Sequence, residues 1–182
     1  MINNTIYREN LEYFADIRKD DQMTPIERSN ALAKGEEVDR MPVQMMADLV
    51  LPDLIGTTLK ESELSAKSKA ELQIAAYHLF GFDGMMHGLY SLPMAMGGKY
   101  TESDHMTKSL TEPPIKDIHD FSGLDLDCIK LENDDAAYKA FDAIRYIQDA
   151  VGDEITCGMN FTAPFTVATG VVGVEPFLTA CA

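Results

Sequence analysis

Three helix patterns alternate with three short apolar runs along this chain, and this order constrains the fold more than any other feature of the sequence. The helix patterns cover residues 24–34, 65–80 and 133–150, and a glycine follows each of them; the first and the third begin at a capping residue. A short apolar run follows each of them, at 41–46, 82–89 and 155–161. Runs of this length between helices are typical of buried parallel strands, so the pattern predicts an α/β fold with helices flanking a parallel sheet.

The ends of these helices depend on particular side chains. Thr24 and Glu27 form a capping-box pattern with Pro25 at the first helical position, and Gly35 supplies the stop. In the third helix, Asn133 or Asp134 is the expected cap. The predicted buried stripe of that helix consists of Ala136, Ala140, Phe141, Ile144, Ile147 and Val151.

Residues 96–126 break the alternation. Gly97-Gly98, Pro113-Pro114 and Gly123 divide this stretch into short irregular pieces. We expect loops and a hairpin here, inserted between the second strand and the third helix.

Composition excludes several classes of protein. The chain has 182 residues, 46% of them hydrophobic and 25% charged, which is typical of one globular domain. A net charge of -15 would repel a phosphate backbone, so we expect no nucleic-acid partner. The longest apolar stretches are shorter than the ~20 residues of a membrane span, and residues 1–21 contain no apolar core of a signal peptide. No membrane association and a cytoplasmic location are therefore expected.

The cysteines and histidines form no metal-binding pattern. The three cysteines, Cys128, Cys157 and Cys181, are far apart in the sequence, and none of the four histidines stands beside another at ligand spacing. We expect reduced thiols and no metal site in this chain.

Three segments, in order, resemble the uroporphyrinogen decarboxylase superfamily. Residues 24–43 resemble its first helix and the Asp-Arg-x-Pro-Val entry to its first strand; residues 81–97 resemble its Gly-x-Asp strand and the Ala-x-Gly that follows; residues 160–173 resemble its Ala-Pro-Phe-Thr turn. The resemblance implies the N-terminal half of a (β/α)8 TIM-type barrel, because such a barrel needs ~250 residues and only three or four strands are recognisable here. Residues 1–23 are then an N-terminal helical extension, and residues 24–182 are a partial barrel domain, truncated at its C-terminus.

The residues that differ from the decarboxylases indicate another branch of the superfamily. The resemblance places Met46 or Ala47, Tyr90 and Gly170 where decarboxylases carry a substrate-binding arginine segment, an aspartate and a tyrosine. Without these groups the chain resembles the methylcobalamin:coenzyme M methyltransferases and related corrinoid-dependent enzymes, which transfer methyl groups between corrinoid proteins and thiols, methoxy compounds or folates. Residues 112–115, Glu-Pro-Pro-Ile, resemble a Glu-Pro segment of that branch.

That branch implies two cofactors for the full-length enzyme: a corrinoid such as methylcobalamin, and a zinc that activates the acceptor thiol. The zinc ligands, a His-x-Cys pair and a later cysteine, belong to the C-terminal half of the family and do not occur in this chain. A fragment, a truncated reading frame or one half of a split barrel would account for this, and we expect such a chain to be inactive alone.

Six residues near the predicted strand ends are candidate contacts for substrate or cofactor, although no catalytic residue can be assigned. They are Gln44, Asp48, His87, Tyr90, Asn160 and Thr162. Simpler interpretations stay open: His87 as a hydrogen-bonded core residue, Asp48 as a solvated loop carboxylate, and Asn160 or Thr162 as a cap of the next helix. The methionines clustered near two strands either fill an irregular core, which we favour, or line a corrinoid pocket.

Two other functions remain possible from the sequence. A half-barrel with an unpaired strand edge could be a non-catalytic binding or assembly module that forms a homodimer or docks onto a C-terminal half-barrel. If the chain belongs to a corrinoid-dependent methyltransferase, a corrinoid protein is the expected partner. A true uroporphyrinogen decarboxylase is the second alternative, and it requires that the alignment of the three segments be misplaced.

Overall fold

The computed structural model describes residues 5–13, 18–44, 51–89, 92–104, 106, 108–122 and 125–182. Helices and strands follow one another as α1 Thr5–Tyr13, α2 Pro25–Lys34, α3 Leu51–Ile55, α4 Leu59–Ser62, α5 Ala66–Phe80, β1 Gly84–Leu89, α6 Leu92–Ala95, β2 Lys99–Tyr100, β3 Leu110–Glu112, α7 Asp135–Val151, β4 Thr156–Phe161, α8 Pro164–Val172 and α9 Val174–Cys181. Two 3₁₀ turns, Leu126–Ile129 and Leu131–Asn133, precede α7.

The central sheet is parallel. β1 pairs with β4 in a register that joins Gly84 to Thr156 and Leu89 to Phe161. On the other side of β1, Gln44 forms an isolated parallel bridge with Gly84. The predicted α/β architecture with parallel strands is therefore confirmed, and the three apolar runs of the sequence meet in one sheet in chain order.

The predicted helix ends are confirmed in detail. Thr24 and Glu27 form the capping box of α2, and Gly35 ends that helix in the left-handed conformation at φ 72°. Asp134, rather than Asn133, caps α7 by accepting hydrogen bonds from two backbone N–H groups. Gly152 ends α7 for another reason: its φ is ordinary, but a Cβ there would lie 2.4 Å from the Gln148 carbonyl oxygen.

Helices α5 and α7 cover one face of the sheet. Met85 of β1 and Ile155, just before β4, point into the layer between sheet and helices. The same core takes Tyr7 of α1, so part of the predicted N-terminal extension packs against the domain. The buried stripe of α7 differs from the prediction at its start, where Ala136 is exposed and Ala137 is buried. Small residues such as Ala140 and Ala143 let α7 approach α5 closely, and this contact sets the rotation of the helix.

The stretch between β1 and α7 contains the expected hairpin. β2 and β3 pair in antiparallel fashion, with Lys99 opposite Glu112. After the hairpin, the backbone N–H of Ile115 donates to the Val171 carbonyl at 3.0 Å. Ile115, Val171 and Val172 form a second small apolar cluster, so this inserted stretch is anchored on α8, the helix that follows β4.

The expected buried strand at 41–46 is only partly correct. Gln44 joins the sheet, whereas Met45 and Met46 lie outside the described residues. Met41 and Val43 are 70% and 52% exposed. Residues 41–43 precede the point where the chain enters the sheet, so they are not sandwiched between a sheet and a helix as a central strand would be.

A buried ion network holds the amino end of the sheet. Arg28 of α2 is fully buried; it pairs with Asp83 and donates to Asp39 at 2.7 and 2.8 Å. Arg40 donates to Asp21 at 2.7 Å and to Asp83 at 2.5 Å. Asp83 also accepts the backbone N–H of Val43 at 2.7 Å. These five side chains, defined here as the ion network, join α2, the segment before Gln44 and the start of β1.

In the part of the chain that the structure describes, no single helix has the length and apolar character needed to cross a membrane; α8 and α9 pass that test only together, with a bend of 115° between them.

We expect Asp83→Asn to destabilise the fold by about 3 kcal/mol or more, because it leaves a fully buried arginine without its nearest charge partner. Urea denaturation followed by circular dichroism measures this loss. Asp142→Asn is the matched control: its exposed pair with Arg145 should contribute less than about 0.5 kcal/mol. Equal effects of the two substitutions would contradict a stabilising role for the ion network.

Stability should also fall in acid. Hydrogen bonds from Arg40 lower the pKa of Asp21, and hydrogen bonds from Arg28 lower the pKa of Asp39. A lowered pKa in the folded state gives stability that is present above the unfolded pKa of about 4 and is lost as the pH falls below it. The urea midpoint should therefore drop between pH 5 and pH 3. The drop should be smaller in Asp39→Asn than in Asp142→Asn, and the same drop in both would contradict the assignment.

Candidate functional site

The sheet has a second face, opposite α5 and α7, and its side chains are arranged in layers. We define the second face by Gln44, by Gly84 and Met86 of β1, and by Thr156, Gly158 and Asn160 of β4. Side chains point alternately to the two faces along each strand. Met85 and Cys157, the neighbours of Met86 and Gly158, pack with the helix-side core, so Met86 and Gly158 belong to the second face.

The first layer lies at the amino end of the sheet. It joins Gln44, Gly84 and Thr156, which stand side by side in the register. A Cβ on Gly84 would lie 3.2 Å from the Thr156 hydroxyl oxygen and 3.3 Å from the Gln44 amide nitrogen. The two polar side chains therefore lie close over the glycine, and both residues are exposed.

The second layer lies two residues further along the strands, and the side chain of Met86 from β1 occupies it. Met86 pairs with Gly158, and a Cβ on Gly158 would lie 2.8 Å from the Met86 sulfur. The thioether thus occupies the space that any side chain at 158 would need.

The third layer lies at the carboxyl ends of β1 and β4, where ligands bind in parallel α/β folds. Asn160 belongs to it, paired with Gly88. The Asn160 side chain is half-buried, and its amide makes no hydrogen bond to the part of the chain that the structure describes. It offers a donor and an acceptor to a ligand placed over the second face.

The six residues predicted for the site do not all come together. Gln44 lies beside Gly84, the first residue of β1, whereas Asn160 lies four residues further along, about 13 Å of strand away. Gln44 therefore lies beside the amino end of β1, and its contact with substrate or cofactor stays a prediction. Sequence reasoning missed this because the pairing register of a strand cannot be read from its apolar run.

The other candidates stand as follows. Asp48 and Tyr90 lie outside the described residues, as does the side chain of His87, whose backbone pairs with Met159 in β1. Thr162 follows β4 directly and so lies near Asn160 in the chain. Neither Asn160 nor Thr162 caps α8, because its capping position is Ala163 and no side chain bonds there. Contact of these residues with substrate or cofactor stays a prediction.

Sequence reasoning also passed over the pair of Met86 and Gly158. The alternation of glycine with larger residues at 84, 86, 156 and 158 was the available signal. This alternation can be interpreted only when the register of the sheet is known, because the register places Met86 against Gly158.

Glu112, in the Glu-Pro-Pro-Ile segment, is held between two cations. Lys99 and Lys116 donate to its two carboxylate oxygens at 2.6 and 2.8 Å, and they lower the pKa of Glu112 to about 2. The hydrogen bond from Lys116 is the larger cause of the lowered pKa, and the hydrogen bond from Lys99 is the next largest. A carboxylate with this pKa stays ionised and is a weak base at neutral pH, so Glu112 organises the hairpin rather than transferring protons.

The Cys157 sulfur lies against the helix-side core. Burial raises the pKa of Cys157, which keeps that sulfur protonated at neutral pH. Within the described ranges, no three His, Cys, Asp or Glu side chains stand close enough to hold a metal ion. These residues do not fit the zinc that the resemblance implied for a full-length enzyme.

Comparison with known proteins supports the fold described above. One solved structure, a methyltransferase from Methanosarcina mazei, has the same fold with a TM-score of 0.69 and 24% sequence identity. The likeness covers 87% of this chain and 48% of that one, so the chain spans about half the length of the methyltransferase. No curated protein matches the sequence.

The family assignment comes from a separate comparison. The family model described as uroporphyrinogen decarboxylase (URO-D) matches residues 24–181, which takes in every segment that carried the sequence resemblance. The chain therefore belongs to the uroporphyrinogen decarboxylase family.

Proposed function

We propose that this chain forms the N-terminal half of a (β/α)8 barrel and serves methyl transfer between a corrinoid protein and a small acceptor. One observation carries the choice of methyl transfer over decarboxylation: no arginine of the chain belongs to the second face near Asn160. Arg28 and Arg40 are bound in the ion network at the opposite end of the sheet. A porphyrinogen with eight carboxylates would lack the bidentate partners that such groups require.

The remaining arginines do not change this argument. Arg8 and Arg145 belong to the helices α1 and α7, and Arg18 lies over the ring of Tyr77 at 4.6 Å. All of these sites belong to the helix side of the sheet. The uncharged second face suits a neutral reacting group better than a polyanion.

The corrinoid and the residues of the chain have separate roles in this proposal. A corrinoid, when bound, supplies a methyl group that a nucleophile can accept. The residues described here bind and orient the small reactant: Asn160 hydrogen-bonds its polar end, and the second layer supports its apolar part. The zinc of the related branch has no ligand set among the described residues, so we assign no step to it.

An assembly role is a second candidate, and the exposed apolar surface of α8 and α9 favours it. Phe165 is 59% exposed, Val174 is 61% exposed and Leu178 is 48% exposed, while Phe161 at the end of β4 is 65% exposed. Glu175 is the only charged residue in residues 161–182. Large apolar side chains grouped in this way usually meet a partner. A second copy of the chain or a C-terminal half-barrel would cover them.

We expect the chain to leave uroporphyrinogen unchanged and to bind methylcobalamin saturably. Anaerobic incubation with uroporphyrinogen, followed by chromatography, tests the first part, and equilibrium dialysis tests the second. Asn160→Ala should weaken binding of a small neutral acceptor, tested with 2-mercaptoethanol, about fivefold, the effect of one lost hydrogen bond, while Asn133→Ala, in the 3₁₀ turn before α7, should not. Coproporphyrinogen above background would overturn the proposal in favour of the decarboxylase alternative.

We also expect a dimer or larger species at micromolar concentration, because exposed apolar side chains on α8 and α9 are stabilised by burial at ~25 cal/mol per Å². Light scattering coupled to size exclusion gives the mass. Leu178→Glu should shift the chain towards the monomer, whereas Tyr138→Glu, on an exposed position of α7, should not. A monomer of 20.1 kDa that binds no hydrophobic dye would contradict the assembly role.

A further inference from the structure

A cavity of about 200 Å³ lies on the helix side of the sheet, where α1, α5 and α7 meet. Tyr7 of α1, His78 of α5 and Tyr146 of α7 contribute rings to its lining. Three of the other lining residues are alanines of α5 and α7, and their short side chains leave the space open. An apolar cavity of this size can hold one aromatic ring.

One end of the cavity carries two opposite charges. Lys67 and Glu71 line it from the first turns of α5, and side chains four residues apart on a helix are neighbours. Lysine before glutamate is the weaker order for such a pair, and Lys67 makes no ion pair with any residue that the structure describes. The cavity therefore presents an ammonium and a carboxylate side by side, without an ion pair between them.

The other end of the cavity is uncharged. His78 lies seven residues after Glu71, about 10 Å along α5. Burial lowers the pKa of His78, so its ring is neutral at neutral pH. Burial raises the pKa of Tyr7, which keeps that phenol neutral as well. The charge of the lining is thus confined to the Lys67 end, and the rest of it offers rings and methyl groups.

We propose that this cavity binds a free α-amino acid with an aromatic side chain. Lys67 pairs with the carboxylate of the ligand, Glu71 accepts hydrogen bonds from its ammonium, and the aromatic ring lies between Tyr7 and Tyr146. The proposal does not depend on methyl transfer, because α5 and α7 cover the face of the sheet opposite Asn160.

Charge complementarity selects this class of ligand. A molecule with a carboxylate alone would bring its charge close to Glu71, and an amine alone would bring its charge close to Lys67. An α-amino acid carries both charges on one carbon atom, so it can satisfy the two side chains together. A carboxylate accepts several hydrogen bonds, so Glu71 can receive the ammonium in addition to its other contacts.

Fluorine nuclear magnetic resonance with the whole chain and 4-fluoro-L-phenylalanine tests this site. We expect saturable binding with a Kd on the order of 1 mM, as is typical for a ligand of this size. Two probes with the same ring each lack one charge: 3-(4-fluorophenyl)propanoate has no ammonium, and 2-(4-fluorophenyl)ethylamine has no carboxylate. Each should bind about fivefold more weakly than the amino acid, because one charged contact is lost.

Two pairs of variants locate the ligand. Lys67→Gln should weaken binding of the amino acid about fivefold without weakening that of the amine, whereas Lys69→Gln, on the same helix but outside the lining, should weaken neither. Ala150→Leu fills the cavity from α7 and should weaken binding about tenfold, whereas Ala136→Leu, on the same helix but outside the lining, should not. Both alanines are exposed, so neither leucine disturbs the core, and circular dichroism verifies that both variants fold.

Each outcome decides for or against the proposal. Weaker binding of both single-charge probes, together with losses in Lys67→Gln and Ala150→Leu but not in their controls, would support it. No saturable binding of the amino acid, equal affinities for the three probes, or equal effects within either pair of variants would overturn it. Binding of methylcobalamin plays no part in these outcomes, so the proposed function is tested separately.

Discussion

The structure depends on Arg28, a guanidinium buried completely among aspartates. It lies on α2, yet its partners Asp39 and Asp83 belong to the segment before Gln44 and to the residue before β1. A buried arginine is tolerated only when its donors are satisfied, and here the Met23 carbonyl and the carboxylates accept them. Because Asp83 also accepts the backbone N–H of Val43, the same contact fixes where the first strand begins to pair with β1. The register of the sheet follows from that attachment.

Register then determines the chemistry of the second face. Once Gln44 stands beside Gly84, alternation places Met86 over Gly158 and Asn160 at the carboxyl end of β4. A shift of one residue would turn Met86 towards α5 and α7 and bring Met85 out of the core. The ion network lies at the amino end and the neutral amide at the carboxyl end, so charge that stabilises the fold is separated from the surface that we assign to the reactant. Parallel barrels commonly divide stability and activity between their two ends in this way.

Local signals in the sequence predicted the helices and strands well, and they predicted side-chain pairings poorly. Thr24, Glu27, Gly35 and Gly81 act through their nearest neighbours, so their effect on α2 and α5 is visible in the sequence. The ion network joins residues up to 62 positions apart, and nothing local indicates that Asp21 and Asp83 share Arg40. The position of Gln44 beside Gly84 and the pair of Met86 and Gly158 could not be read from the sequence for the same reason. The one exposed alanine in the predicted stripe of α7, Ala136, reflects a rotation set by contact with α5.

The apolar surface of α8 and α9 has a consequence for the site itself. β4 ends at Phe161, Asn160 stands one residue earlier, and α8 begins three residues later. Phe165, Val174 and Leu178 are exposed, and we expect a partner that covers them to approach the end of β4 and to exclude water from Asn160. A hydrogen bond to a ligand is stronger where water is excluded, because the local dielectric is lower. We therefore propose that a partner that buries α8 also strengthens the hydrogen bonds that the Asn160 amide makes to a ligand.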